Sequence, residues 1–208
     1  MKKIILLVLL ILSTFCYSQK KKTTKAAAKT VLATVDNVSA EIITDKKQKK
    51  IVLFSTNGTA KDTLEVKKID SPLFTPLNFS IKSFTANGVK LYIVHREEKN
   101  KLETKLKKED IDIIESQIWN IDKKELLIGN TQKSTHIIET VFLDKNKTAS
   151  EVQEKNRKEG FELTLLPNGD FNLKNKTQND TYSFNTSSLK YEIKKGSAAK
   201  STPSKKRR

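Results

Sequence analysis

Three Asn-Gly pairs constrain this chain more than any other feature. Asn57-Gly58 stands between KKIVLFST and TLEVKKI, Asn87-Gly88 between NFSIKSF and VKLYIVH, and Asn168-Gly169 between FELTLL and FNL. Asn and Gly accept the positive φ angles of tight hairpin turns, so each pair predicts two antiparallel strands folded back on each other. At the third, Pro167 just before the pair and Asp170 just after it reinforce the turn.

Other short runs of β-branched and aromatic residues continue the pattern at 39–44, 101–106, 111–121, 125–128, 135–143, 181–184 and 189–193. Residues 107–119 also place Ile111, Ile114 and Ile118 at helical spacing, but the Ile111/Ile113 alternation and the β-branched content favour a strand with a bulge. One short helix is expected at about 148–159, where Thr148 and Glu151 have capping-box spacing. It has little apolar content, so it is expected over a barrel end or a sheet edge. The fold expected is mainly β: a single antiparallel β-sandwich or small β-barrel over residues 31–193. A chain of this size buries roughly 70% of its unfolded surface. A modest aromatic content of 7% argues against an outer-membrane barrel with aromatic girdles.

The N-terminus reads as a leader. Lys2 and Lys3 precede an apolar run at 4–12, too short to span a bilayer, and small residues close it at 13–18. Cleavage between Ser18 and Gln19 fits better than lipid attachment at Cys16, because Phe15 occupies the position where a lipoprotein needs a small residue. Cys16 is the single cysteine. Its removal with the leader excludes disulfides, thiol catalysis and thiolate metal sites. The expected location is periplasmic or extracellular, in a bacterial cell envelope.

The formal charge of +16 is unevenly distributed. Residues 19–30 carry Lys20, Lys21, Lys22, Lys25 and Lys29 and no acid. Residues 194–208 carry seven cations, among them Lys205, Lys206, Arg207 and Arg208, again without an acid. Removing these twelve cations and the two leader lysines from 40 basic residues leaves 26 against 24 acids, so the interior of the chain is close to neutral. The two arms lack the apolar content to offset chain entropy and are expected to be disordered. Flexible cationic arms of this kind contact anionic lipid or polysaccharide surfaces with strong salt dependence and read no specific nucleic acid sequence.

Catalytic patterns are sparse. GxSxG, HExxH and phosphate-cradling glycine loops do not occur, and no cofactor or metal site is expected. His95 and Glu97 share a strand face but lack a third metal ligand, and His136 reads as an ordinary strand-face histidine. The acids Glu109, Asp110, Asp112 and Glu115 lack the spacing of a calcium loop. Trp119, flanked by Ile118 and Ile121, reads first as a packing residue and second as an aromatic platform for a ligand. Asp62-Thr63-Leu64 resembles an O-glycosylation triplet, which makes Thr63 a candidate acceptor.

The expectation is a non-enzymatic envelope protein whose β-domain binds a protein or glycan partner while its arms contact anionic surfaces. Two alternatives are a β-barrel carrier of a small apolar ligand and a hydrolase acting on envelope polymers. A carrier leaves its inward-facing positions unfilled, whereas a sandwich interdigitates them.

Overall fold

The computed structural model describes residues 30–45, 47–57, 60–69 and 77–194. Thirteen strands form three antiparallel sheets, and in each sheet the strands lie in chain order. The first sheet is β1 (Thr30–Val35), β2 (Val38–Asp45), β3 (Gln48–Asn57) and β4 (Ala60–Ile69). The central sheet is β5 (Leu77–Ala86), β6 (Val89–Glu103), β7 (Lys107–Asn120), β8 (Glu125–Phe142) and β9 (Ser150–Gly160). The third is β10 (Glu162–Leu165), β11 (Phe171–Lys174), β12 (Asn179–Asn185) and β13 (Lys190–Ile193).

The Asn-Gly residues that are described lie where the hairpins turn. Asn57 pairs with Ala60 at the β3–β4 turn. Ala86 pairs with Val89 around Asn87 and Gly88, which have φ of 47° and 84°. The third pair sits in a five-residue loop between Leu165 and Phe171. There Gly169, at φ 83°, presses so closely on β5 that a Cβ would lie 2.5 Å from the Thr85 carbonyl oxygen. Only glycine fits that docking point.

The side-chain period of two sends the central strands to both sides. On one face Ile81, Tyr92, Val94, Trp119 and Ile121 pack on Val38, Ala40, Ile51, Leu53, Leu64, Val66 and Ile69 of the first sheet. On the other, Ala86, Leu91 and Ile118 pack on Phe171 and Phe184 of the third. Phe171 stacks on Tyr182 at 4.9 Å, and Tyr191 packs edge-on against both Phe171 and Phe184. The result is a layered antiparallel β fold with the central sheet covered on both faces at one end.

Three expectations are corrected. The short helix at 148–159 is strand β9, and no helix occurs among the described residues. As a helix the segment would bury only Ala149 and Val152, whereas as a strand it hydrogen-bonds to the edge of β8 along eleven register pairs. Thr148 does not cap a helix; its backbone N–H and hydroxyl both donate to the Asp144 carboxylate. The runs at 125–128 and 135–143 form one strand, β8, passing through Gly129 without a break. Residues 107–119 are a strand as expected, but the bulge expected in it is absent: pairing to β6 is continuous from Lys108 to Trp119, and the one shift against β8, between Ile118 and Trp119, leaves the extra residue, Leu127, on β8.

Candidate functional site: the projecting end of the central sheet

Strands β6 to β9 run well past the residues that the two outer sheets cover. The core clusters contain no residue of β6 beyond Val94, none of β7 before Ile118 and none of β9. Lys107 to Glu115 alone extends about 30 Å at the usual strand rise. Beyond Glu98 every residue of β6 is exposed.

A charged cluster marks the boundary on the first-sheet face. Arg96, 2% exposed, donates to Glu98 and Glu115, the latter reached across the β6–β7 pair. Lys67 reaches over from β4, with Nζ 2.5 Å from Glu98 and 3.1 Å from Glu115. Burial pulls the Arg96 guanidinium below its ordinary pKa, and Glu98 opposes that shift. The two cations here face two anions, and the cluster lies at the open end of the first core, next to Val94 and Val66. Gln117 adds a hydrogen bond to the Val66 carbonyl.

On the opposite face, directly behind, His95 Nδ1 lies 3.1 Å from the Ser116 hydroxyl, and Nε2 lies 3.6 Å from Glu97. Asn78 donates to Glu97 at 2.6 Å. A hydroxyl, an imidazole and a carboxylate in line resemble nucleophilic machinery in composition. Ser116, however, is buried in a strand paired on both sides, so the surrounding amides serve the ladder rather than a developing oxyanion. The arrangement ties β6 to β7.

Past this boundary the described residues form a single layer with two different faces. The first carries Ile111, Ile113 and Ile137, with Arg157, Lys133 and Lys155 in the same cross-strand rows. Ile111 and Thr135, opposed across β7 and β8, are nearly buried although neither core reaches them. Long charged side chains cover such positions with their aliphatic stems while their heads pair in water. Lys107 pairs with Glu109 at 2.6 Å and Lys155 with Glu139 at 2.5 Å. The second face is polar near the boundary, where Asp110, Asp112, Ser134, His136, Asn156 and Lys158 line a shallow hollow of about 190 Å³.

Toward the tip it turns apolar. Nine large apolar side chains are exposed among the described residues, and five lie in this projection: Leu102, Leu106, Ile138, Leu143 and Val152. A separate cleft of about 350 Å³, between the Lys158–Gly160 end of β9 and the turn at 174–177, is lined mainly by polar side chains.

The residues singled out from the sequence scatter over this frame. Trp119 is 6% exposed in the first core, and its Nε1 donates to Gln117, so its ring serves packing. Thr63 is exposed on β4, the last strand of the first sheet. The acids of β7 split by alternation, Glu109 and Glu115 to one face and Asp110 and Asp112 to the other, and among the described residues no group of three or more His, Cys, Asp or Glu is placed to hold a metal ion. His136 contacts Asn156 at 3.1 Å within the polar hollow. The arm cations Lys20, Lys21, Lys22, Lys25, Lys29, Lys205, Lys206, Arg207 and Arg208 lie outside the described residues. Lys194, the first residue of the C-terminal arm, is held by Asp170 at 2.5 Å.

Sequence reasoning missed the Arg96 cluster, because HREE in a strand reads as solvated charge. The one available signal was alternation, which puts Arg96 and Glu98 on the same face as Val94. No protein-family model matches this chain, nor does any curated protein or solved structure.

Proposed function

We propose that this chain is an exported, non-enzymatic protein of a bacterial cell envelope that works by binding. Its projecting sheet contacts a protein or glycan partner, and its cationic arms contact anionic lipid or polysaccharide. The observation carrying the reading is the projection itself. Four strands continue past both covering layers at a cost in unshielded apolar surface that folding alone does not require. The leader-like start at 1–18 and the arm composition supply the envelope assignment. Against a carrier, the inner faces of the sheets pack on each other, and two open clefts beside the third sheet are lined mainly by polar side chains rather than enclosed by apolar ones.

The test is co-sedimentation of the exported protein with purified cell envelopes across a salt series. Binding is expected to weaken steeply with salt and to lose that salt dependence when residues 19–30 and 194–208 are deleted, with the thermal midpoint nearly unchanged. Salt-dependent binding that persists in the deletion variant overturns the role of the arms. An apolar adduct of defined mass in the native mass spectrum would establish the carrier instead.

A further inference from the structure

We infer that the tip of the projecting sheet is a second membrane-contacting element, built to enter the interfacial layer of an anionic bilayer. The inference rests on the envelope reading for the choice of surface, but it concerns folded residues distinct from the arms.

The tip consists of the β6–β7 turn and the longer β8–β9 loop, brought side by side where the Thr140 amide donates to the Leu106 carbonyl at 2.8 Å. Register places Ile138, Thr140 and Phe142 of β8 on one face, with Val152 opposite Thr140. Leu102 lies on the other face, in the row of Glu109 and Ile137. Leu143, 62% exposed, extends past the end of β8. Apolar side chains therefore wrap both faces and the end. A rigid protein partner docks against one face, whereas a fluid layer surrounds a tip on all sides, and this distribution suits the fluid layer.

Charge and backbone bonding agree. Lys105, Lys145 and Lys147 flank the leucines, and among the described residues none has a carboxylate within ion-pair distance; Lys147 lies 5.5 Å from the centre of the Phe142 ring. Nearby acids are engaged as well: Glu103 by Lys108 at 2.7 Å, Glu109 by Lys107, Asp144 by the amides of Thr148 and Ala149, both at 2.9 Å, and Glu151, opposite Val141, by the Gln153 amide. Unpaired lysines behind exposed leucines match an anionic headgroup layer over an apolar one. Several of the turn amides are also satisfied internally. Thr104 donates to the Lys107 carbonyl, Leu143 to Ala149 and Lys147 to Asp144. Each donor already paired in this way leaves water without being stranded, which lowers the cost of entering an interfacial layer that is itself still hydrated.

The experiment uses vesicles of phosphatidylglycerol mixed with phosphatidylcholine, and lipids brominated along the acyl chain as quenchers. In the parent protein Trp119, buried in the core, serves as an unquenched reference. Leu143→Trp should acquire quenching by shallow bromines together with a blue shift. Leu106→Asp combined with Leu143→Asp should lower vesicle affinity at least about tenfold at constant salt, with an unchanged melting profile. Vesicle binding that persists at full strength in the double variant, with Leu143→Trp unquenched, overturns the inference while leaving the arm-dependent envelope reading intact. A concentration-dependent dimer that the double variant abolishes in the absence of lipid also overturns it, because the patch then seats a second copy. Co-sedimentation with envelopes tests the broader reading separately.

Discussion

The same central strands lead two different lives along their length. Near the turns at 87–88 and 121–124, Leu91 and Ile118 are wholly buried because another sheet lies on them. Farther along the same β7, Ile111 is almost as buried, yet it belongs to neither core and its row within the sheet holds Thr135 and Arg157. The ladder is continuous, so backbone pairing is common to both halves and does not distinguish them. The difference is in how apolar surface is removed from water. A second layer excludes water with close-packed side chains, while charged stems cover an isoleucine row with groups that remain mobile at their heads.

The largest expected effect lies at the boundary between the halves. Arg96→Ala leaves Glu98 and Glu115 facing each other with Lys67 as their remaining cation, and should cost about 3 kcal/mol or more in denaturant unfolding. A cost below about 1 kcal/mol would mean that the cluster is wet and that the two halves share one kind of shielding.

Next comes a matched pair of truncations. Leu91→Ala removes a side chain enclosed by two sheets and should destabilise by about 3 kcal/mol, whereas Ile113→Ala in the projection should cost about 1 kcal/mol. Equal losses would erase the distinction.

A smaller effect should appear with acid. Burial works against the charge of Asp170, and hydrogen bonds from Lys194, Ser183 and Asn168 more than offset it, holding its pKa below the ordinary 3.8. The lowered value means that its ionised form stabilises the third sheet above pH 3.8 and that this contribution is lost as the pH falls through the lower folded value. Near-ultraviolet dichroism from Tyr182 and Tyr191 should then fade before the Trp119 signal, which reports the other interface. Simultaneous loss would show that the two covering sheets are released together.

The smallest effect is expected at Val152→Thr, on the exposed face of the projection, which should stay within about 0.5 kcal/mol of the parent. A larger loss in dilute solution would reveal that Val152 is covered there.

Much of the fold was legible because turn chemistry is local. Asn87-Gly88 needs only its own backbone to declare a hairpin, and the Ile111/Ile113 alternation already favours a strand over a helix. Strand β9 was illegible for the opposite reason. Glu, Gln, Lys and Arg are good helix formers, and the preference for a strand arises from the unpaired edge of β8, which is distant in sequence. Gly129 likewise reads as a break between two short strands, and the long ladders on either side of β8 carry it through. Of the candidate site, the individual exposed leucines could be seen, but their gathering at one end depends on the registers of four strands. The Arg96 cluster depends on Lys67 arriving from another sheet.

The strand order within the sheets has a consequence for how the molecule is assembled. Among the described residues every strand pairs with its immediate predecessor or successor, and no ladder joins segments distant in sequence. Contacts of this kind are short in sequence for an all-β protein, which lowers the entropy lost in closing each one. A chain delivered gradually, N-terminus first, completes its first sheet by residue 69, adds the central sheet hairpin by hairpin, and lays the third on last. Each stage grows at one edge, the strand most recently laid down, while the first strand of the sheet stays at the other edge. Growth at that edge is always by the next residues to emerge.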